Sequence, residues 1–219
     1  MPPKQTRRNY RGRAIDVSYD VRRCIHVAEC MRGLPQTFNR QHVPWIEPDK
    51  SPPADVAEVV MRCPSGALRF ERKDAGLPES IAAINTITLV ANGPLYVRGE
   101  VKLISPQGAV LHQDRRVSLC RCGASKNKPF CDNSHIAAGY KSGTPKIGSR
   151  VDRGMGGALQ ITPIENGPYQ LLGNVEVVDA EQVVVFQGRM IRLCRCGRSE
   201  EMPFCDNSHL DNGFEAQSW

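Results

Sequence analysis

The chain has 219 residues, 40% of them hydrophobic, with 19 glycines, 16 prolines and a net charge of +6. No stretch approaches the ~18 consecutive apolar residues of a membrane helix, and no hydrophobic secretory core stands at the start, so the expectation is a soluble, cytoplasmic protein in a reducing compartment. Nine cysteines in that setting argue for metal or redox chemistry rather than disulfides, and the modest apolar fraction suits small, loop-rich modules held partly by bound metal.

The first element is a basic arm, residues 1–9. Lys4, Arg7 and Arg8, with Arg11 and Arg13 just beyond, supply five of the six net positive charges, and no acid lies among the first 13 residues. Such a run reads as a solvated, disordered arm. The rest of the chain is close to neutral, which removes the case for nucleic acid as a partner.

Residues 10–73 carry three cysteines. Cys24-Ile-His26-Val27-Ala-Glu-Cys30 has the outer spacing of a ferredoxin loop with Val27 where a central cysteine would stand, and Cys63-Pro64 matches a ferredoxin ending. Apolar residues at helical spacing after Pro52-Pro53, Val56, Val59 and Val60 among them, predict a helix that delivers Cys63. Together with Phe38-Asn39, Pro44-Trp45-Ile46 and Cys-Pro-Ser-Gly-Ala-Leu, the segment resembles the divergent mono-cluster ferredoxin family. The resemblance implies a [4Fe–4S] domain, but three cysteines leave either [3Fe–4S] or [4Fe–4S], with His26 as a candidate fourth ligand or a neighbour of the site. Phe38 and Trp45 are expected in a small core, and His42 and His112 at the surface. Residues 74–86, with Leu77-Pro78-Glu79-Ser80, read as a linker.

The remainder is a duplication. Cys120, Cys122, Cys131 and His135 recur as Cys194, Cys196, Cys205 and His209 at a constant offset of 74 residues, which also carries Asn92-Gly93-Pro94 onto Asn166-Gly167-Pro168 and Gly99 onto Gly173. Each unit, 87–140 and 161–219, reads as short strands punctuated by turns and followed by a cysteine loop. Residues 141–160 between them form a Gly-rich connector, expected to be flexible. One unit could hardly bury its own apolar face, so the two should pack together about a pseudo-twofold axis.

Within each loop the spacing explains the chemistry. Two cysteines separated by one residue on an extended strand point the same way and can share one metal. Cys131 and His135, four apart, share a face if Asp132 caps a helix there. The pattern Cys-x-Cys-x2-Ser-x3-Pro-x-Cys-Asp-x-Ser-His resembles the CDGSH iron–sulfur (mitoNEET-like) family, with Asn133 and Asn207 standing where the motif has Gly. The resemblance implies a [2Fe–2S] cluster on three cysteines and one histidine at each copy, and an intrachain pseudo-dimer. Replacing a thiolate by a neutral imidazole makes the site one unit less negative, which raises its potential above the roughly −400 mV of plant-type ferredoxins. Arg121 and Arg195 would add to this if they face the cluster. A histidine ligand also competes with protons, so mild acid should labilise the centre.

The fold expected is thus α+β: a small ferredoxin-like module followed by two β-rich repeats. No triad, phosphate loop or dinucleotide fingerprint appears, so an enzyme is not expected. The cofactors implied are two [2Fe–2S] clusters and one [3Fe–4S] or [4Fe–4S] cluster. Electron transfer to a protein redox partner is the leading reading; cluster donation to an apo-protein acceptor, or iron and redox sensing, is the second. A structural zinc module for protein contacts is the third, since Cys3His is also a zinc set. No membrane partner is expected, and the chain should be a monomer.

Overall fold

The computed structural model describes residues 7–151, 154 and 156–217, and divides into two compact units, 1–80 and 81–219. In the first, three antiparallel strands in the order β1 (Arg7–Tyr10), β2 (Ile15–Asp20), β3 (Leu68–Arg72) carry two helices, α1 (Glu29–Gly33) and α2 (Pro53–Met61). Pro53 opens α2, where a missing N–H costs nothing. Its Val56, Ala57, Val59 and Val60 are buried against Ile15, Val17, Phe38 and Leu68, and Trp45 is edge-on to Tyr10 and Tyr19. Phe38 and Trp45 are therefore core, as expected.

The basic arm is not disordered from Arg7 onward. Arg7–Tyr10 pairs in register with β2, and the Arg7 guanidinium donates to Ser18 Oγ and to the Gly66 and Ala67 carbonyls. A donor-rich side chain over free carbonyls holds the strand down; Lys4 lies outside the described residues.

The second unit is one six-stranded sheet shared by both repeats. The first contributes β4 (Thr86–Leu89), β5 (Leu95–Ile104) and β6 (Val110–Leu119), and the second β7 (Leu159–Pro163), β8 (Tyr169–Val178) and β9 (Val184–Leu193). The strands exchange partners. β4 pairs in parallel with β8, Thr86 opposite Glu176, and β7 pairs in parallel with β5, Gln160 opposite Lys102. The two pairings map onto each other at the 74-residue offset. One hydrophobic core drawn from all six strands follows, including Ile87, Val97, Val117, Ile161, Leu171 and Val185.

Leu95–Val97 and Val101–Ile104, read separately from sequence, are one strand with a bulge between Arg98 and Val101. Gly99 makes the bulge, at φ +141°, and a Cβ there would sit 2.1 Å from Asn85 Oδ1. Buried Asn85 fills that space. Its Nδ2 donates to the Gly157 and Asn174 carbonyls at 2.9 and 2.8 Å, and its Oδ1 accepts from Glu100 N at 2.9 Å, tying the repeats together.

The connector is docked rather than flexible over much of its described length. Gly148 N donates to Val185 O, Gln187 N to Ser149 O and Val151 N to Gln187 O, so it runs along β9. An exposed strand edge offers those groups, and the connector satisfies them. Gly148 is required, because a Cβ would meet the Phe204 ring at 2.6 Å.

Candidate metal centres

Each repeat ends its last strand in the first cysteine of a loop. Cys120 N donates to Pro129 O and Cys131 N to Ser118 O, which folds the loop back beside the strand; Cys194 and Cys205 make the same bonds to Pro203 and Arg192. Ser125 and Ser199 donate their hydroxyls to the Phe130 and Phe204 carbonyls, each at 2.7 Å. The motif serines are thus internal braces.

Asp132 and Asp206 brace the other half. Asp132 accepts from Lys126 N and Ser134 N, and Asp206 from Glu200 N and Ser208 N. Burial would raise the Asp206 carboxyl, but bonds from Ser208 and the loop amides overcome it and hold the group down at about 2. The residues that follow, Asn133 and Asn207, adopt φ of +70° and +72°, a conformation Asn tolerates better than most side chains. Short helical turns then begin, α3 (Ser134–Ala137) and a 3-10 turn at Ser208–Leu210. The Asn, not Asp132, occupies the position just before the helix.

These braces bring the cysteines and histidines together in pairs. Cys120 and Cys122 sulfurs are 3.6 Å apart, as are those of Cys194 and Cys196. Cys131 Sγ lies 3.6 Å from His135 Nδ1, and Cys205 Sγ 3.5 Å from His209 Nδ1. A tetrahedral metal with thiolate bonds of about 2.3 Å and imidazole bonds of about 2.0–2.1 Å spaces two thiolates about 3.7 Å apart, and a thiolate and an imidazole about 3.5 Å apart. All four pairs fit. Cys122 and Cys196 are pulled below the ordinary thiol range by hydrogen bonds from Cys120 and Cys194, which are pushed up in turn. Two close thiols share a proton that a metal would displace. Burial lowers His135, favouring the neutral ring a metal needs.

The two loops touch. A Cβ on Gly123 would come within 2.5 Å of Cys196 O, and one on Gly197 within 2.7 Å of Cys122 O. Tyr140, Cys194, Cys196 and Met202 form a small buried cluster against Cys122 and Phe214.

Arg121 and Arg195 turn their guanidinium groups to backbone carbonyls, yet stay near enough to act electrostatically on the candidate ligands, Arg121 on Cys122, Cys194 and His135 and Arg195 on Cys120. Arg121 donates to the Gly93 and Val90 carbonyls and lies over the Tyr140 ring; Arg195 donates to the Ile164 and Gln217 carbonyls between the Tyr169 and Phe214 rings. Buried guanidinium groups go where carbonyls accept them, here in and beside the Asn-Gly-Pro turns and, for Arg195, also at Gln217. His42 is an ordinary surface group, 3.5 Å from Glu47, whereas His112 packs edge-on against Phe130 beneath the first loop.

In the first unit, Cys24, Cys30 and Cys63 line one cavity with Tyr19, His26, Val27 and Trp45. Cys63 follows α2 directly, its N–H bonded to Val60 O, as the helix prediction required. His26 and Ala28 take φ of +52° and +66°, so the loop coils tightly. His26 Nδ1 stands 3.8 Å from Cys24 Sγ. Burial, with the Cys63 and Cys24 thiols nearby, pushes Cys30 up to about 11. Tyr19, unremarked in the sequence, is pushed up by burial and by a hydrogen bond with the Cys24 thiol.

Comparison with known proteins agrees with these sites. Residues 92–136 and 166–210 each match the iron-binding zinc finger of CDGSH type, and residues 10–73 match the divergent 4Fe-4S mono-cluster family. The chain is 42% identical over 66 residues to the uncharacterized protein YjdI of Escherichia coli K12, and equally to that of E. coli O157:H7, covering 30% of this chain and 87% of each relative. No solved structure matches with statistical support.

Proposed function

The chain belongs to the CDGSH-type iron-binding family, with a divergent 4Fe-4S mono-cluster domain ahead of two such repeats, and we propose that it is an electron-transfer protein holding two [2Fe–2S] clusters and one N-terminal [3Fe–4S] or [4Fe–4S] cluster. The observation that carries this is the pairing of side chains at 3.5–3.6 Å in both loops. Each pair lies at the spacing of two ligands on one metal, and both loops match an iron-binding family, which favours iron over the zinc reading.

Cys120, Cys122, Cys131 and His135 would hold the first cluster, and Cys194, Cys196, Cys205 and His209 the second. Such a core supplies one-electron chemistry at a potential set by its net charge and by hydrogen bonds to its sulfurs. Nδ1 of each histidine faces its cysteine, and with Nδ1 on iron Nε2 would carry the ring proton. The reciprocal strand exchange supports an intrachain pseudo-dimer, and the contact of Gly123 and Gly197 with the opposite loop supports direct passage of electrons between the sites. Cys24, Cys30 and Cys63 would hold the third cluster. Ligands on different irons of a cuboidal cluster lie farther apart than 3.8 Å, so His26 is better read as a hydrogen-bond partner of Cys24 than as the fourth ligand.

Iron and sulfide quantitation with EPR on anaerobically purified protein tests this reading. Near-equimolar iron and sulfide, with reduction by a ferredoxin reductase and no loss of colour, is the expected result; zinc without sulfide would refute it. The second reading, cluster donation to an apo-protein, is favoured by the part-exposed Cys205 and by the histidine itself.

A further inference from the structure

Outside the N-terminal cysteines lies a shaped and charged surface that the chemistry above does not use. A cavity of about 310 Å³ adjoins the one they line and shares Cys24, Cys30, His26 and Trp45 with it. Its outer wall is Met31 and the loop that carries Arg40, His42 and Val43. That loop is pinned. Asn39 N donates to Trp45 O at 2.8 Å, His42 N to Asn39 O at 3.1 Å and Gln41 N to Asn39 Oδ1 at 3.0 Å. It holds Val43 out in water at 101% exposure. A lone exposed apolar residue is ordinary, but this one stands at the rim of a cavity lined by two candidate cluster ligands.

The charge around it has one sign. Among the described residues no carboxylate lines the cavity. From Val21 to Val43 the chain has Arg22, Arg23, Arg32 and Arg40 against a single acid, Glu29. Glu29 is taken by Arg32 at 2.6 Å, and Arg23 is buried with its guanidinium on Ser65 O. His42 faces Glu47 at 3.5 Å. Arg13, Arg62, Arg72 and Lys73 in the same unit each sit on a carboxylate, whereas the exposed Arg40 is in no ion pair among the described residues. An apolar tip beside a charged rim is how protein interfaces are built, and a pinned loop loses little freedom on docking.

We propose that this face docks an electron-carrying protein whose own cofactor is ringed by carboxylates, with Val43 entering its apolar centre and Arg40 meeting its acidic rim. This rests on the reading that Cys24, Cys30 and Cys63 hold a redox-active cluster. Each encounter moves one electron between the partner's cofactor and that cluster. One is oxidised as the other is reduced, and no bond is made or broken.

The test titrates the full-length holoprotein with gallium-substituted plant-type ferredoxin, an acidic probe that cannot exchange electrons, and reads the dissociation constant by calorimetry. Arg40→Glu and Val43→Asp should each weaken binding about tenfold. Raising salt from about 0.02 to about 0.3 M should weaken wild-type binding by a similar factor. Arg13→Glu makes the same charge change outside the cavity and should stay within about twofold of wild type. With native ferredoxin, rapid-freeze EPR should show slower electron exchange at the N-terminal cluster in Arg40→Glu, while its reduction by photochemically generated deazaflavin radical is unchanged. No binding by the wild type, equal binding by wild type and Arg40→Glu, equal losses in Arg40→Glu and Arg13→Glu, or binding that strengthens with salt would overturn the proposal. Protein with no iron–sulfur EPR signal from these cysteines in either oxidation state would instead sink the reading beneath it.

Discussion

At the scale of single residues the histidines matter most. His135→Cys or His209→Cys should lower the potential of that site, because a thiolate adds one negative charge, and should slow cluster loss in acid; absorbance-monitored titration of each variant is the check. The pH window discriminates among causes. Asp206 is held near 2, so its bracing is complete above the unfolded carboxyl value of about 3.9 and disappears only as pH falls through about 2. Asp132 is lowered in the same sense. Loss of colour between about pH 5 and 7 would therefore report imidazole protonation, not collapse of the loop. Loss confined to below pH 4 in the wild type would contradict histidine ligation. Gly99 carries a different burden. Gly99→Ala must both adopt positive φ and displace Asn85, and should destabilise the chain by about 3 kcal/mol in urea unfolding.

At the scale of elements the connector gives the sharpest expectation. Gly and Ser content alone reads as a loose tether, but the bonds of Lys146, Gly148 and Val151 to Met202, Val185 and Gln187 make it an edge-covering strap. Amide exchange at Lys146, Gly148 and Val151 should be slowed about tenfold or more relative to an unstructured chain, since each must detach before exchanging. Exchange at unstructured rates would restore the flexible reading. The helix α2 was legible beforehand because its Pro start and its apolar spacing agree, and both are local signals.

At the scale of the whole molecule, strand exchange makes neither repeat complete. β4 finds half of its partners on β8, and β7 on β5, so a fragment limited to residues 81–143 exposes unpaired edges and half a core. Such a fragment should elute as a dimer, one copy supplying what the other repeat provides in the intact chain. Fragment 81–219 should stay monomeric and carry two clusters' worth of iron and sulfide. A stable monomer of the single repeat would show that the exchange is dispensable.

The two cysteine loops, their duplication and the helix before Cys63 were readable from the sequence, because each is written in spacing along a short stretch. The left-handed Asn133 and Asn207 belong with them. What only the tertiary structure decided involves residues brought together from far along the chain. Arg121 and Arg195 turn into distant turn carbonyls, Tyr169 reaches 49 residues back to Cys120, Asn85 locks the bulge at Gly99, and Ser118 meets Cys131. The physical reason is that a buried polar group takes whichever partner the packed chain presents, and the offset that makes two motifs identical in sequence says nothing about which neighbours each will have.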